Sequence, residues 1–288
     1  RMRVRTDLAL EARESFDGSD TEVHGVVVEE EYEEALDLKI TRVKILSERG
    51  AREMGKPVGT YLTMEAPGMA VPDEDYHREI SEALAGCLKE LTGENRDRSV
   101  LVAGLGNRDV TPDALGPKTV SNLMITRHLF REYGKETMGM EQASAVSGIA
   151  PGVMAQTGME TSEILQGIID QTSPDILLVI DALAARSTRR LGRTIQLTDT
   201  GIQPGSGVGN HRGSLTKESL GIPVIAIGVP TVVEAAAIIY DAQGSCERMP
   251  PHLNGMFVTP KNIDEIIKQL SFTLSEALNI VFQVSGKA

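Results

Sequence analysis

The sequence predicts an α/β protein, a twisted and mainly parallel sheet flanked by helices, with a small β-rich subdomain near the N-terminus. Three observations carry this expectation. The apolar runs SVLVAG (99–104), DILLVID (175–181) and IPVIAIG (222–228) are each followed by turn residues and then by helical spacing, the pattern of buried parallel strands joined by crossovers. Aromatic residues make up only 3% of the chain and Trp is absent, so Val, Ile, Leu, Ala and Met must build the interior. The length, 288 residues, suits one large α/β unit, and no internal repeat or low-complexity run divides it.

Taken in order, residues 23–30 (VHGVVVEE), 36–46 (LDLKITRVKIL) and 58–66 (VGTYLTMEA) are β-rich, the second placing Leu36, Leu38 and Ile40 on one face by alternation. They form a small antiparallel unit at about residues 20–70. Pro72 and Asp73 open a helix whose apolar stripe is Ile80, Leu84, Cys87, Leu88 and Leu91, closed by Gly93. SAVSGIA (144–150) and RTIQLTD (193–199) are shorter strand candidates. TSEILQGIID (161–170), capped by Thr161, and NIDEIIKQLSFTLSEALNIVF (262–282) have helical spacing. QGSCERMPPHLNG (243–255) reads as a loop.

Composition excludes several functions. With 41 acidic against 29 basic residues the net charge is −12, which opposes direct binding to nucleic acid or to anionic membrane surfaces. No run approaches the ~18–20 apolar residues that span a bilayer, and no charged-then-apolar signal segment opens the chain. Cys87 and Cys246 lack a CxxC partner, so they fit a reducing cytoplasm and read as buried small hydrophobes. Arg1 in place of Met suggests that the start of the gene product has been trimmed. His24, His77, His128, His211 and His252 show no HExxH or close ligand spacing, so no metal is expected; His211, in the loop GNHRGS, is the one nearest to interesting chemistry.

In an open α/β sheet, reactive groups gather past the carboxyl ends of the strands. Two segments stand there, GLGNRDVTPDALGPK (104–118) and IDALAARS (180–187). In the first, Gly104-x-Gly106 is followed by Arg108 and Asp109 rather than a third glycine, and no Gly-Lys-Ser/Thr follows, so neither dinucleotide nor phosphate-loop fingerprint is complete and no cofactor is expected. What remains is a glycine turn, then Thr111 as cap, Pro112 at the first helical position and Asp113 in the first turn. Asp181 ends the strand ILLVID. Alone, Asp113 reads as a first-turn carboxylate stabilised by the helix dipole and Asp181 as a cap for the following turn. As a pair at strand ends they can converge on one water, one ionised to take its proton and the other protonated to donate. Asp199-Thr200-Gly201 has the triplet of pepsin-like proteases, but those are all-β, and here it reads as a turn after an edge strand. No GxSxG elbow surrounds a serine and Cys87 lies in a helical stripe, so nucleophilic mechanisms lack support.

The stretches GLGNRDVTPDALGPK, ITRHLF, IAPGVMAQTGMETSEI, LLVIDALAARS, TIQLTDTGIQPGSGVGN and GIPVIAIGVPTVVEA, in this order, closely resemble the germination protease (spore protease) family of spore-forming bacteria. The similarity runs from about residue 4 to 242 and resumes at MFVTPKNID. More distantly, the GxGN turn and the later aspartate resemble the hydrogenase-maturation endopeptidases, which share an α/β core. The resemblance implies endoproteolysis of small acid-soluble spore proteins that coat spore DNA, early in germination, in the cytoplasm of the forespore and spore core. It implies an atypical aspartic-type enzyme whose two proposed catalytic aspartates fall on Asp113 and Asp181, and a homotetramer.

It also implies a zymogen that removes a short N-terminal piece of itself at a site like those in its substrates: Thr, an acidic residue, then an apolar residue and Ala. In RTDLALEA (5–12) these are Thr6, Asp7, Leu8 and Ala9, with Glu11 beyond, so Asp7–Leu8 is the expected processing bond. An ordinary frayed terminus is the alternative. Residues 1–7 are then a propeptide remnant, the sequence is of the zymogen type, and 8–288 form a single catalytic domain. One departure stands out: family members carry a longer segment between YDA (240–242) and VTPK (258–261) than residues 243–257 supply here. Two other functions remain open, a metal-dependent maturation-type endopeptidase with Asp113 and Asp181 as ligands, and a non-catalytic nucleotide-binding module at the GxGN turn.

Overall fold

The structure, a computed structural model, describes residues 7–14, 24–93, 97–202, 213–243, 253 and 255–283. In chain order the elements are α1 (Ala9–Glu14), β1 (Val26–Glu33), β2 (Leu38–Ile45), α2 (Glu48–Met54), β3 (Gly59–Glu65), α3 (Glu74–Thr92), β4 (Ser99–Gly104), α4 (Leu115–Ser121), α5 (Arg127–Tyr133) and β5 (Ala145–Ile149). They continue with α6 (Met154–Thr157), α7 (Thr161–Thr172), β6 (Ile176–Ala185), β7 (Thr194–Thr198), α8 (Lys217–Leu220), β8 (Val224–Glu234), α9 (Ala235–Gln243), β9 (Phe257–Val258) and α10 (Ile263–Phe282).

All the strands join one sheet in the order β1-β2-β3-β7-β8-β6-β4-β5, with β9 against β8. The apolar runs that predicted buried strands form its centre, because residues of β6 are buried on both faces. Leu178 and Ile180 belong to the core under α3, α4 and α10, whereas Leu177 and Val179 face Leu165 and Ile169 of α7 and Leu220 of α8. Burying each such Leu or Ile contributes about 1.5–3 kcal/mol. The long helices pack on the first face with the predicted stripe inward. Asp73 caps α3 by accepting from the Tyr76 amide, and Gly93 ends it. His77 and Ser81 of α3 meet Thr273 of α10 at 2.7 and 3.2 Å, which makes His77 a satisfied core residue whose neutral form burial favours.

Several expectations need correction. The sheet is mixed rather than mainly parallel. Pairings β4–β5, β4–β6 and β6–β8 are parallel, while β1–β2, β2–β3, β3–β7, β7–β8 and β8–β9 are antiparallel. The short link from β1 to β2 allows only antiparallel pairing, β3 returns antiparallel to β2 after α2, and β3 then docks on β7, so the β-rich unit continues the main sheet. For the same reason β7 is an interior strand, and Asp199 follows it not as a turn at an edge but as an acceptor for the Thr60 amide of β3 (2.8 Å). The caps shift by one residue or more. Thr161 is the first residue of α7, whose preceding Glu160 amide donates to Glu163 (2.8 Å). Thr111 begins a short 3-10 turn, Thr111–Asp113, that leads into α4. Asp181 does not end its strand either: β6 runs on to Ala185, paired with β8 as far as Ala185↔Val233. Most of the 243–255 loop, with Cys246 and His252, lies outside the described residues, as do Thr6 and the loop carrying His211.

Candidate active site

The strand that stops at the site is β4. Its last residue, Gly104, pairs with Ile180, so Asp181 is the first residue of β6 without β4 beside it. The chain leaving β4 stays pressed against β6 through the Leu105 amide, which donates to the Ile180 carbonyl (2.8 Å). Gly106 then turns at φ +106°, and a Cβ there would fall 2.1 Å from the Asp113 carbonyl oxygen, so only glycine permits the turn and the close approach. The Asn107 amide donates to Asp113 Oδ2 (2.6 Å), fixing the carboxyl group over the end of β4. Gln156 of α6 closes one wall by donating to Asn107 Oδ1 (3.0 Å).

Asp181 is 6% exposed, and its Oδ1 accepts from the Ala182 amide (2.9 Å). Burial pushes its pKa well above the ordinary carboxylate range, and the neighbouring charges of Asp113 and, less strongly, Asp7 add to the shift against the Ala182 N–H. Burial also raises Asp113, opposed by the Asn107 N–H. The structure therefore brings the two aspartates predicted from sequence into one electrostatic unit. Two neighbouring carboxyl groups resist ionising together, and the deeper burial of Asp181 favours its protonated form.

The segment predicted to contain the processing bond lies against this unit rather than fraying. The Asp7 amide donates to the Ala184 carbonyl (3.2 Å), and the Ala184 amide donates to Asp7 Oδ2 (2.9 Å), so the chain pairs with β6 just beyond Asp181. Leu8 is fully buried among Leu183, Ala185, Leu191, Val233 and Ala237. The Asp7 carbonyl accepts from Lys56 Nζ (2.9 Å) and Gln196 Nε2 (3.3 Å), and the Ala9 amide donates to Gln196 Oε1 (2.7 Å). Glu11, 2% exposed, accepts from the Arg186 and Ser187 amides (2.8 and 3.0 Å) and meets Arg190 at 3.1 Å. Arg190 also pairs with Glu14 and Glu65.

Lys56 and Gln196 escaped the reading of the sequence. Gln196 left a trace, a polar residue inside the apolar strand RTIQLTD; Lys56, in the turn before β3, left none. Register explains why Gln196 matters: Asp181 of β6 pairs with Gly228 of β8, and Gly228 pairs with Gln196 of β7. The acid and the amide thus stand on either side of Gly228, over which the Leu183 side chain packs. Cys87 is buried and its thiol is pushed up to about 12, an inert core group. Among the described residues no group of three or more His, Cys, Asp or Glu is placed to hold a metal, and no helix is long and apolar enough to cross a membrane.

A family model described as germination protease, peptidase A25, matches residues 4–246. The germination protease of Caldanaerobacter subterraneus subsp. tengcongensis is 47% identical over 311 aligned positions, covering 97% of this chain and 94% of that protein. That alignment has more positions than this chain has residues, so the relative carries residues that are lacking here. The germination protease of Clostridium perfringens (strain ATCC 13124) is 42% identical over 97% of this chain and 95% of its own. That of Bacillus cereus (strain B4264) is 48% identical over 83% of this chain and 65% of its own. Among solved structures, the [NiFe] hydrogenase maturation protease HycI from Thermococcus kodakarensis KOD1 aligns with 67% of this chain and 99% of its own, at 20% identity and a TM-score of 0.35.

Proposed function

The chain belongs to the germination protease family, and on that premise we propose that it is a zymogen which cuts its own Asp7–Leu8 bond and then degrades small acid-soluble spore proteins in the germinating spore. One observation carries the reading: Asp7, the residue before the bond expected from sequence, hydrogen-bonds β6 at Ala184 near the buried Asp181, which feels the charge of the half-buried Asp113, and the Asp7 carbonyl oxygen is hydrogen-bonded on two sides.

The reaction follows from the two environments. Asp113, the less buried carboxylate, takes a proton from a water molecule whose oxygen bonds to the Asp7 carbonyl carbon. As the tetrahedral species collapses, the C–N bond breaks and the Leu8 nitrogen takes the proton held by Asp181. The products are a carboxyl group on Asp7 and an amine on Leu8; proton exchange with solvent resets the pair. The same chemistry serves a spore protein presenting Thr, an acidic residue, an apolar residue and Ala in the same order.

Residues 7–14 dock where a substrate would bind; the cut frees residues 1–7, and residues 8–14, still attached, must then swing away before a protein substrate enters, which is the physical content of the zymogen. Residues 1–7 belong to the propeptide and 8–288 to one catalytic domain, acting in the forespore and spore core. A homotetramer is supported by the exposed Val27, Val28 and Tyr32 on β1, at one end of the sheet, and light scattering tests it. To test the chemistry, purified protein is incubated with a spore-protein peptide and the new N-terminus is read by mass spectrometry. Asp113→Asn and Asp181→Asn should each lose about 10²–10⁴-fold in cleavage rate with folding intact; undiminished cleavage by either variant rules out the pair. The wild-type rate should fall on both sides of a pH window, below it as Asp113 is protonated and above it as Asp181 loses its proton.

A further inference from the structure

The two aspartates move protons, but neither brings positive charge to the carbonyl oxygen, where negative charge develops as water adds. In peptide hydrolysis that oxygen is stabilised by fixed donors, and in a dry site such donors are worth far more than in water. We infer that Lys56 and Gln196 are those donors, holding the oxygen of the scissile carbonyl in self-cleavage and in substrate cleavage alike. The inference rests on Asp7–Leu8 being the processed bond.

The geometry supports it in three ways. Lys56 Nζ and Gln196 Nε2 both reach the Asp7 carbonyl oxygen, at 2.9 and 3.3 Å, from separate elements. The Gln196 amide has one consistent orientation: Oε1 accepts from the Ala9 amide at 2.7 Å, which turns Nε2 toward Asp7. This bridge spans Leu8 and sets the register of the bound chain, so that the carbonyl before Leu8, rather than another, receives the lysine. Finally, Asp181, Gly228 and Gln196 stand in one cross-strand row. Two strand spacings put the outer backbones roughly 10 Å apart, with the Leu183 side chain over Gly228 between them, so Gln196 reaches the bound segment from the side away from Asp181. Burial disfavours the charged form of Lys56, while the carboxylates of Asp7 and Glu11 favour it. The segment being cut therefore helps to keep its own donor charged.

The rival account is that Lys56 and Gln196 only dock the N-terminal segment. Kinetics separate the two, because docking acts on KM and stabilisation of the oxyanion acts on kcat. The full-length protein and its variants are compared in self-processing and in cleavage of the peptide RTDLALEA, with melting curves as the control for folding. Lys56→Met should lower the first-order processing rate and the peptide kcat by about 10²–10³-fold, with KM changed less than about threefold, and Lys56→Arg should recover about tenfold of the loss. Gln196→Glu keeps the acceptor for Ala9 but removes the donor to Asp7, and should cost about 10²-fold in kcat. Folded variants that retain kcat, or lose through KM alone, overturn the inference while leaving the function intact, provided the wild-type product begins at Leu8. A wild-type product that begins elsewhere overturns both.

Discussion

The parallel strands β5, β4, β6 and β8 and the antiparallel strands β1, β2, β3 and β7 share one sheet, yet they contribute different things to the site. The parallel half supplies the carboxyl groups. Its strands point the same way, so the turn after β4 and the exposed flank of β6 meet at one edge, and Asp113 and Asp181 meet with them. The antiparallel half supplies the groups that grip the chain: Lys56 before β3, and Gln196 in β7. Its face also carries α1, packed over Val43, Ile45, Met54 and Tyr61. The two carboxyl groups thus lie where helices cover the sheet on both faces, and the groups that hold residues 7–9 lie where one face receives the N-terminal segment.

The largest test of this division strikes the parallel half. Gly116 lies so close to the turn that a Cβ would sit 2.4 Å from the Leu105 oxygen and 2.6 Å from the Ile180 oxygen, both backbone atoms. Gly116→Ala should push α4 and Asp113 away from β6, costing about 3 kcal/mol and lowering the melting midpoint by roughly 6–12 °C. An unchanged midpoint would mean that this close seating does not hold the acids together.

The gripping half is tested through the segment it holds. Glu11→Ala leaves the Arg186 and Ser187 amides without their carboxylate acceptor. That should weaken docking by about 2 kcal/mol, slow self-processing about 30-fold, and speed hydrogen exchange at both amides. Exchange that stays slow would show the segment to be held by something else.

A subtler effect distinguishes the acids from the grip. Because the folded protein raises the Asp181 pKa above its unfolded value, the folded state binds the extra proton between those values, and stability falls as pH rises through the folded pKa. Asp181→Asn removes this penalty. At neutral pH the variant should melt higher than wild type, by roughly 2–4 °C for each kcal/mol recovered, and the difference should vanish below about pH 4. A variant less stable than wild type at neutral pH would mean that the carboxylate is paired rather than strained. The smallest effect is expected at Asp7, whose short side chain we propose slows self-cleavage: Asp7→Glu should speed self-processing about fivefold, roughly 1 kcal/mol. A rate that does not rise would remove side-chain length as the brake.

Much of this was legible in the sequence because the signals were local. The run SVLVAG became β4 with its predicted bounds, and the stripe from Ile80 to Leu91, with Asp73 and Gly93 at its ends, became α3. The end of β6 was misread because Ala182, Ala184 and Ala185 have weak strand propensity, whereas pairing with β8 carries the strand past them. The parallel character was overestimated because an apolar run does not disclose which way its neighbour points. The candidate aspartates were found from their positions after apolar runs, but Lys56 could not be, since a lysine in a turn looks like any solvated lysine.

By itself the sequence determined the family, the material of the core, the glycine turn ahead of Asp113 and the peptide motif at residues 5–12, all properties of contiguous residues with their own periodicity or chemistry. Tertiary structure alone decided that Asp7 pairs with Ala184, that Gln196 faces Asp181 across Gly228, and that Lys56 reaches the Asp7 carbonyl. These contacts join residues tens to nearly two hundred positions apart. Their energies depend on strand order and register, which are set by the packing of the whole sheet and are written in no single stretch of chain.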